Sequence, residues 1–318
     1  MVNNGPISKQ GFVSVLMTAY KEPVSVFLEA LDSILEQTFT NYEIVLIVDN
    51  PSYDELIEVA HDRASEHNNL RVFVNENNMG LAQSLNKAIE LARGVYFCRM
   101  DADDVAFPNR IENQLNCLLG NNLDLVGSYL EVVNPDNKLM YNVENIPTKP
   151  DKIKKALRWN NCIPHPTWLG KREIFEQKYR NINLCEDYDL LLRSVLAGYR
   201  LGNCNQVLLK YRMSEKSISR RNLYEQYLSQ CYLTACYQKG LVADIKKMQV
   251  WIESRKSTVK AKKYALANAK FNDGTKFLAN KSYLKALTSY FSIVGLSPSY
   301  LNKIRRLLFA SFLGDRPK

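Results

Sequence analysis

The sequence has no Cys-x-x-Cys pair. Its cysteines, Cys98, Cys117, Cys162, Cys185, Cys204, Cys231 and Cys236, are scattered and odd in number, which excludes a zinc knuckle and a disulfide framework and reads as small buried hydrophobes. No apolar run reaches the roughly 18 residues of a membrane span, and the opening MVNNGPISKQG lacks the apolar core of a signal peptide. With 13 Gly and 11 Pro, glycine and proline are too sparse for a collagen-like or linker-rich chain. What is present is a 46% hydrophobic composition with 18 Tyr, 12 Phe and 3 Trp over 318 residues. That is a folded, reduced, cytoplasmic chain large enough to need no staple, either one large domain or a large one with an appendage.

The formal charge of +9 is unevenly placed. From residue 215 onward there are 20 Lys+Arg against 6 Asp+Glu, and before it 22 against 27. An acidic body is therefore followed by a basic third.

In the acidic body, strand and helix patterns alternate. Buried strands are expected at 13–18, 43–48, 70–74 and 95–100, with helices after Pro23, over 53–67 and from Gly80. Such alternation predicts an α/β fold with a largely parallel sheet covered on both faces, whose ligands bind beyond the carboxyl ends of the strands. Three polar clusters fall at those ends, Thr18 to Glu22, Asp49-Asn50 and Asp101 to Asp104. Later elements are a helix at about 108–119, β-like segments at 123–133, 138–143 and 206–212, and a helix from Glu186. Beyond 219 the pattern is helical almost throughout.

Asp101-Ala102-Asp103-Asp104 crowds carboxylates that repel unless a cation or ligand compensates, and hard oxygen ligands suit Mn²⁺ or Mg²⁺. The alternative is an N-cap for the helix near Pro108. In Cys185-Glu186-Asp187-Tyr188-Asp189, acids suit a first helical turn and Asp189 can pair with Arg193, while Glu186 and Asp187 are candidates for a general base. His165 either stiffens a Pro-flanked turn or lines a ligand site, with Trp168 three residues on. Tyr20 ends a strand and either joins the core or contacts a ligand, and His61 and His67 read as solvated surface.

In order, VSVLMTAYKE, EIVLIVDNPSYD, Asn78-Met79-Gly80 with Asn86, RGVYFCRMDADD, HPTWLGKR, CEDYDLLLR and the late KYR before SIS resemble glycosyltransferase family 2 over about residues 12–220. The resemblance implies the GT-A nucleotide-diphospho-sugar transferase fold over 1–218, with 219–318 a basic helical appendage. It implies an inverting, metal-dependent enzyme moving a sugar from a nucleotide-sugar, a UDP-sugar first, to a glycan or lipid-linked oligosaccharide of surface polysaccharide or lipopolysaccharide. By position, Thr18, Ala19, Tyr20 and Glu22 match the nucleoside loop, Asp49 the acid facing the base, and Asn78, Gly80 and Asn86 the pocket lining. Asp101 and Asp103 match the metal and ribose pair within the Arg99, Ala102 loop. Asp187, beside Glu186, matches the catalytic base. The same resemblance would let His165 line the acceptor site and Trp168 stack on a sugar. Two departures stand out: Asn50-Pro51 replaces the common Asp-Gly, and Ser214, after Tyr211-Arg212-Met213, occupies the position where relatives often carry a metal-ligating histidine.

The last helix, 299–313, places Leu301, Ile304, Leu308 and Phe312 on one face and Lys303, Arg305 and Arg306 elsewhere, which suits an interfacial helix at the inner face of the cytoplasmic membrane. The alternative is a helical cap packed on the core. Residues 271–290 resemble a single tetratricopeptide-style hairpin. The competing functions are a nucleotidyltransferase, which would carry a Gly- and Lys/Arg-rich phosphate loop absent from TAYKEPVS, and a non-enzymatic basic scaffold or polyanion binder. The acidic body and the lack of a nucleic-acid module argue against nucleic acid.

Overall fold

The computed structural model describes residues 11–182, 184–213, 222–279 and 281–315. Ser214, the Ser217-Ile218-Ser219 stretch and the boundary expected at 218/219 lie outside them.

The first half alternates as its periodicity predicts: β1 (Val13–Ala19), α1 (Val24–Leu35), β2 (Tyr42–Val48), α2 (Asp54–Glu66), β3 (Leu70–Val74), α3 (Leu81–Leu91), β4 (Tyr96–Asp101). Every residue of β1 and β2 is buried, the signature of parallel strands covered on both faces. One cover is α1, which turns Phe27, Ala30, Leu31 and Ile34 inward at helical spacing. α3 inserts Leu85, Ala88 and Ile89 on the other face.

The chain continues through β5 (Val105–Ala106), α4 (Arg110–Gly120), β6 (Leu125–Val133), β7 (Leu139–Val143) and α5 (Pro150–Ala156). A 3₁₀ turn (His165–Thr167), β8 (Leu169–Lys171), α6 (Arg172–Phe175), α7 (Glu186–Leu196) and β9 (Leu201–Arg212) complete the α/β body. The sheet runs β3-β2-β1-β4-β8-β6-β9-β5, with β7 on β6. Only β3-β2-β1-β4 and the β6–β9 pair are parallel. β8 is antiparallel to both β4 and β6, so the sheet is mixed rather than uniformly parallel. β9 starts five residues before the expected strand at 206, because Gly202, Asn203 and Asn205 hide its beginning.

The basic third forms α8 (Leu223–Gln238), α9 (Ile245–Glu253), α10 (Thr258–Ala279), α11 (Tyr283–Leu296) and α12 (Pro298–Phe312). It is not a separate body: Tyr224, Tyr227, Tyr264 and Tyr300 belong to the same apolar cluster as Leu157, Tyr188 and Leu190 of the α/β part. α10 and α11 form the expected hairpin, so close that a Cβ on Gly274 would lie 2.7 Å from the Tyr290 ring.

The expected faces of α12 are corrected. Leu301 and Ile304 pack on the core, while Leu308 and Phe312 are exposed. Arg306 points inward, 7% exposed, donating to Trp159 O (2.7 Å) and Thr234 Oγ1 (2.7 Å). A stronger apolar surface lies on α11. Ala286, Ser289 and Ile293 face the protein, and Leu284, Leu287, Phe291 and Val294 form an exposed stripe on the opposite side. No described helix is long and apolar enough to cross a membrane.

Candidate active site

Parallel register sets the site. Thr18 of β1 lies beside Ile47 and Asp101, and Ala19 beside Val48, so the ends of β1, β2 and β4 converge on one sheet edge. There the Asp49 N–H donates to Ala19 O (2.7 Å). Tyr20 follows Ala19 on the half-buried rim. Glu22 folds back, its carboxylate accepting the N–H groups of Tyr20 (2.6 Å) and Lys21 (3.0 Å), which fixes the nucleoside-type loop.

Asp49 has a more interior task than its motif implies. Its carboxylate is 4% exposed and accepts from Asn75 Nδ2 (2.7 Å), Met79 N–H (2.8 Å) and Gly80 N–H (2.8 Å). It therefore shapes the 78–80 turn instead of standing free toward a base. Gly80 sits at φ 81°, a conformation that favours glycine, at the N-terminus of α3. Asn78 is exposed beside it. Asn86, half-buried, clamps the Tyr179 backbone: its amide donates to Tyr179 O (2.8 Å) and accepts from Tyr179 N–H (2.9 Å).

Arg99 is fully buried and pairs with Asp101 at 2.5 Å, while its Nε and Nη1 have no hydrogen-bond partner. Orphaned guanidinium atoms this deep are uncommon and mark a functional site or a missing anion. Its charge reaches both acidic groups, acting on Asp101, Asp103 and Asp104 on one side and on Glu186 and Asp187 on the other. The motifs at 101–104 and 186–187, far apart in sequence, thus meet around one cation.

The carboxylates carry the strain of that crowding. Burial, then the charges of Asp101 and Glu22, push Asp103 up to about 7. Burial with Asp101 and Asp103 holds Asp104 well above the carboxylate range. Asp104 Oδ1 accepts the Arg212 N–H (2.9 Å) and Oδ2 has no partner. None of these acids caps a helix: α4 begins at Arg110 behind Asn109, which removes the capping alternative. Ala102 is buried beneath the turn.

At the start of α7, burial and the neighbouring Asp187 raise Glu186 to about 7, and burial raises Asp187. Asn161 Nδ2 donates to Asp187 Oδ2 (2.8 Å), orienting it. Asp189 is structural, bound by Arg180 and by Arg193 (2.8 Å).

The segment between the acidic groups is held as a rigid wall. The backbone N–H of Arg99 donates to Trp168 O (2.8 Å), Arg110 donates to Pro166 O (2.8 Å) and Gln114 to Thr167 O (2.6 Å). Trp168 is wholly buried against Tyr179 and Phe175, with its Nε1–H on Ile163 O (3.1 Å), so the expected sugar-stacking role is corrected to a core one. His165 lies edge-on to Trp168 and bonds Tyr179 OH (2.9 Å). Burial and Arg99 drive its pKa well down, leaving a neutral ring. Arg110, Gln114, Asn161 and Tyr179 escaped the sequence reading. Only the four-residue spacing of Arg110 and Gln114 on one helix face signalled a shared role.

Residues 14–178 match the family described as Glycosyl transferase family 2. The chain belongs to this family. Among its relatives, the Escherichia coli O-antigen biosynthesis glycosyltransferase WbnJ is 29% identical over 215 residues, 66% of this chain and 83% of that protein. The E. coli UDP-Gal:alpha-D-GlcNAc-diphosphoundecaprenol beta-1,3-galactosyltransferase is 32% identical over 214 residues, 65% of this chain and 76% of the relative. Of solved structures, Staphylococcus aureus TarS 1–349 with UDP-GlcNAc superposes with a TM-score of 0.61 at 14% identity, over 90% of this chain and 92% of TarS. The Pyrobaculum calidifontis mannosyltransferase PcManGT, with GDP-Man and Mn²⁺, gives 0.59 at 16%, over 94% and 87%. The fold is GT-A with added C-terminal helices, and the chain is a glycosyltransferase.

Among the described residues no group of three His, Cys, Asp or Glu side chains is arranged to hold a metal by itself. Asp103, whose carboxylate is disfavoured by burial and by Asp101 and Glu22, is an oxygen donor of the kind that hard divalent ions use in ones or twos together with substrate phosphates.

Proposed function

We propose that this glycosyltransferase extends a lipid-linked or surface-polysaccharide glycan by a single inverting displacement from a nucleotide-sugar. The observation that carries this reading is the meeting of two acidic groups around Arg99: an Asp101–Asp103 cluster short of positive charge, and an oriented, buried Asp187. A hydroxyl oxygen of the acceptor attacks the anomeric carbon as the bond from that carbon to the phosphate oxygen breaks. Asp187 takes the hydroxyl proton, and a nucleoside diphosphate departs. Its raised pKa strengthens it as a base near neutral pH.

Asp103, with Asp101 behind it, would hold Mn²⁺ or Mg²⁺, which when bound neutralises the leaving diphosphate. With serine rather than histidine at position 214, that ion would depend on the donor phosphates and exchange readily. Thr18, Ala19, Tyr20 and the 78–80 turn, braced by Asp49, form the nucleoside side, and Arg99 stabilises the departing charge. The neighbours carrying UDP-GlcNAc and GDP-Man make UDP and GDP the bases to try first. The acceptor assignment follows the relatives named above. We place the chain at an anionic cytoplasmic membrane face through α11, whose exposed Leu284, Leu287, Phe291 and Val294 are flanked by the exposed Lys281 and Lys285.

The test is a thermal-shift panel of UDP-, GDP- and dTDP-sugars with Mn²⁺ on wild type, Asp103→Asn and Asp187→Asn. A specific nucleotide should stabilise wild type and Asp187→Asn, with stabilisation lost in Asp103→Asn. Stabilisation by no nucleotide, or equally in all three proteins, overturns the reading.

A further inference from the structure

A cavity of about 200 Å³ lies between the α/β body and the C-terminal helices, lined by Asn160, Gln226, Tyr227, Gln230, Lys303 and Arg306 among others. Its lining is joined to the two segments that position Asp187. Asn160 precedes the Asn161 that orients Asp187, and Gln226 Nε2 donates to Leu184 O (3.1 Å) while its carbonyl receives the Cys185 thiol (3.6 Å), just ahead of Glu186.

The cavity carries cations without anions. Arg306, 7% exposed, donates to Trp159 O, Thr234 Oγ1, Cys231 Sγ and, at 3.5 Å, Gln230 O, all of them neutral. Lys303, one turn earlier on α12, rests over the rings of Tyr300 (5.1 Å) and Tyr264 (5.9 Å) and forms no ion pair among the described residues. Burial alone draws its pKa down. Two half- or fully buried cations facing one polar cavity are unfavourable unless an anion completes them. A neutral glycan gives no such return.

We propose that this cavity binds the diphosphate ester of the acceptor, seated one sugar ring beyond the hydroxyl that Asp187 deprotonates. The inference rests on the glycosyltransferase reading for the position of that hydroxyl and adds the chemistry of the acceptor's far end. Lys303 supplies the charge that contacts the diphosphate, Arg306 the fixed positive field behind it, and Gln226, Gln230 and Asn160 the neutral donors.

The experiment is calorimetric titration of the full chain, in EDTA, with monododecyl diphosphate below its micelle concentration and with inorganic pyrophosphate. Wild type, Lys303→Gln, Lys303→Arg and Asp103→Asn are compared, each checked for an unchanged melting transition. Dodecyl diphosphate should bind wild type, Lys303→Arg and Asp103→Asn alike, and about tenfold more weakly to Lys303→Gln, the loss of one charge-assisted contact. Binding indifferent to Lys303→Gln would overturn the assignment, and binding strengthened in Asp103→Asn, whose lost carboxylate no longer repels an anion in EDTA, would put the ligand in the donor site and overturn it too. So would no binding at all, or pyrophosphate binding as tightly as the alkyl ester, which marks a site for a free anion. Nucleotide binding with Mn²⁺, measured on the same preparations, shows separately whether the glycosyltransferase reading itself stands.

Discussion

Asp103 offers the sharpest test of the electrostatics, because the same carboxylate that would serve catalysis should weaken the metal-free fold. Its pKa moves from 3.8 to about 7. In the folded chain the proton is therefore kept until about pH 7, whereas the unfolded chain releases it near 3.8. Between those values the folded state binds more protons, so its stability falls as pH rises, and above about 7 the whole penalty is present. About three pKa units at 1.36 kcal/mol each amounts to up to about 4 kcal/mol. Asp103→Asn removes that penalty with little change in shape. In EDTA the variant should melt about 6 °C above wild type at pH 8 and within about 1 °C of it at pH 4, taking the usual unfolding entropy for a chain of this length. Differential scanning calorimetry across pH 4 to 8 reads it directly, and Mn²⁺ with the cognate nucleotide should close the gap by stabilising wild type alone. A variant no more stable than wild type at pH 8, or a gain that does not grow with pH, would refute the view of this site as one starved of positive charge.

Asp187→Asn should lower kcat by about 10²- to 10⁴-fold with nucleotide affinity kept, and wild-type turnover should rise with pH as Asp187 and Glu186, the latter at about 7, lose their protons. A flat profile over pH 5 to 8 in a chemistry-limited assay would remove the base role. Asp189→Asn leaves Arg180 and Arg193 without their anion and should cost about 3 kcal/mol, read as a lower urea midpoint. Leu284→Ser with Phe291→Ser should abolish flotation with anionic liposomes while leaving the melting temperature unchanged, since both side chains are exposed; flotation that persists would reject α11 as the membrane face.

Much of this protein was legible because its chemistry is local. Strand–turn sequences such as VSVLMTAY and VYFCRMDADD fix both a buried strand and the polar groups at its end, so the positions of Thr18, Tyr20, Asp101 and Asp103 followed from periodicity. Side-chain engagement was not local. Asp49 and Asn86 sit in motif positions, yet their carboxylate and amide are occupied by Met79, Gly80 and Tyr179. Trp168 looked available for a sugar only until Tyr179 and Phe175 closed over it.

The alternation and the split of charge determined on their own that this is an α/β chain with an acidic body and a basic helical third. Family membership followed from motif order. Only the tertiary structure decided that Arg99 stands between two acidic clusters, 101–104 and 186–187, far apart in the chain, that Arg306 faces inward, and that the exposed stripe lies on α11. Those facts depend on which surfaces the long-range packing covers, and helical or strand periodicity specifies a face without specifying what meets it.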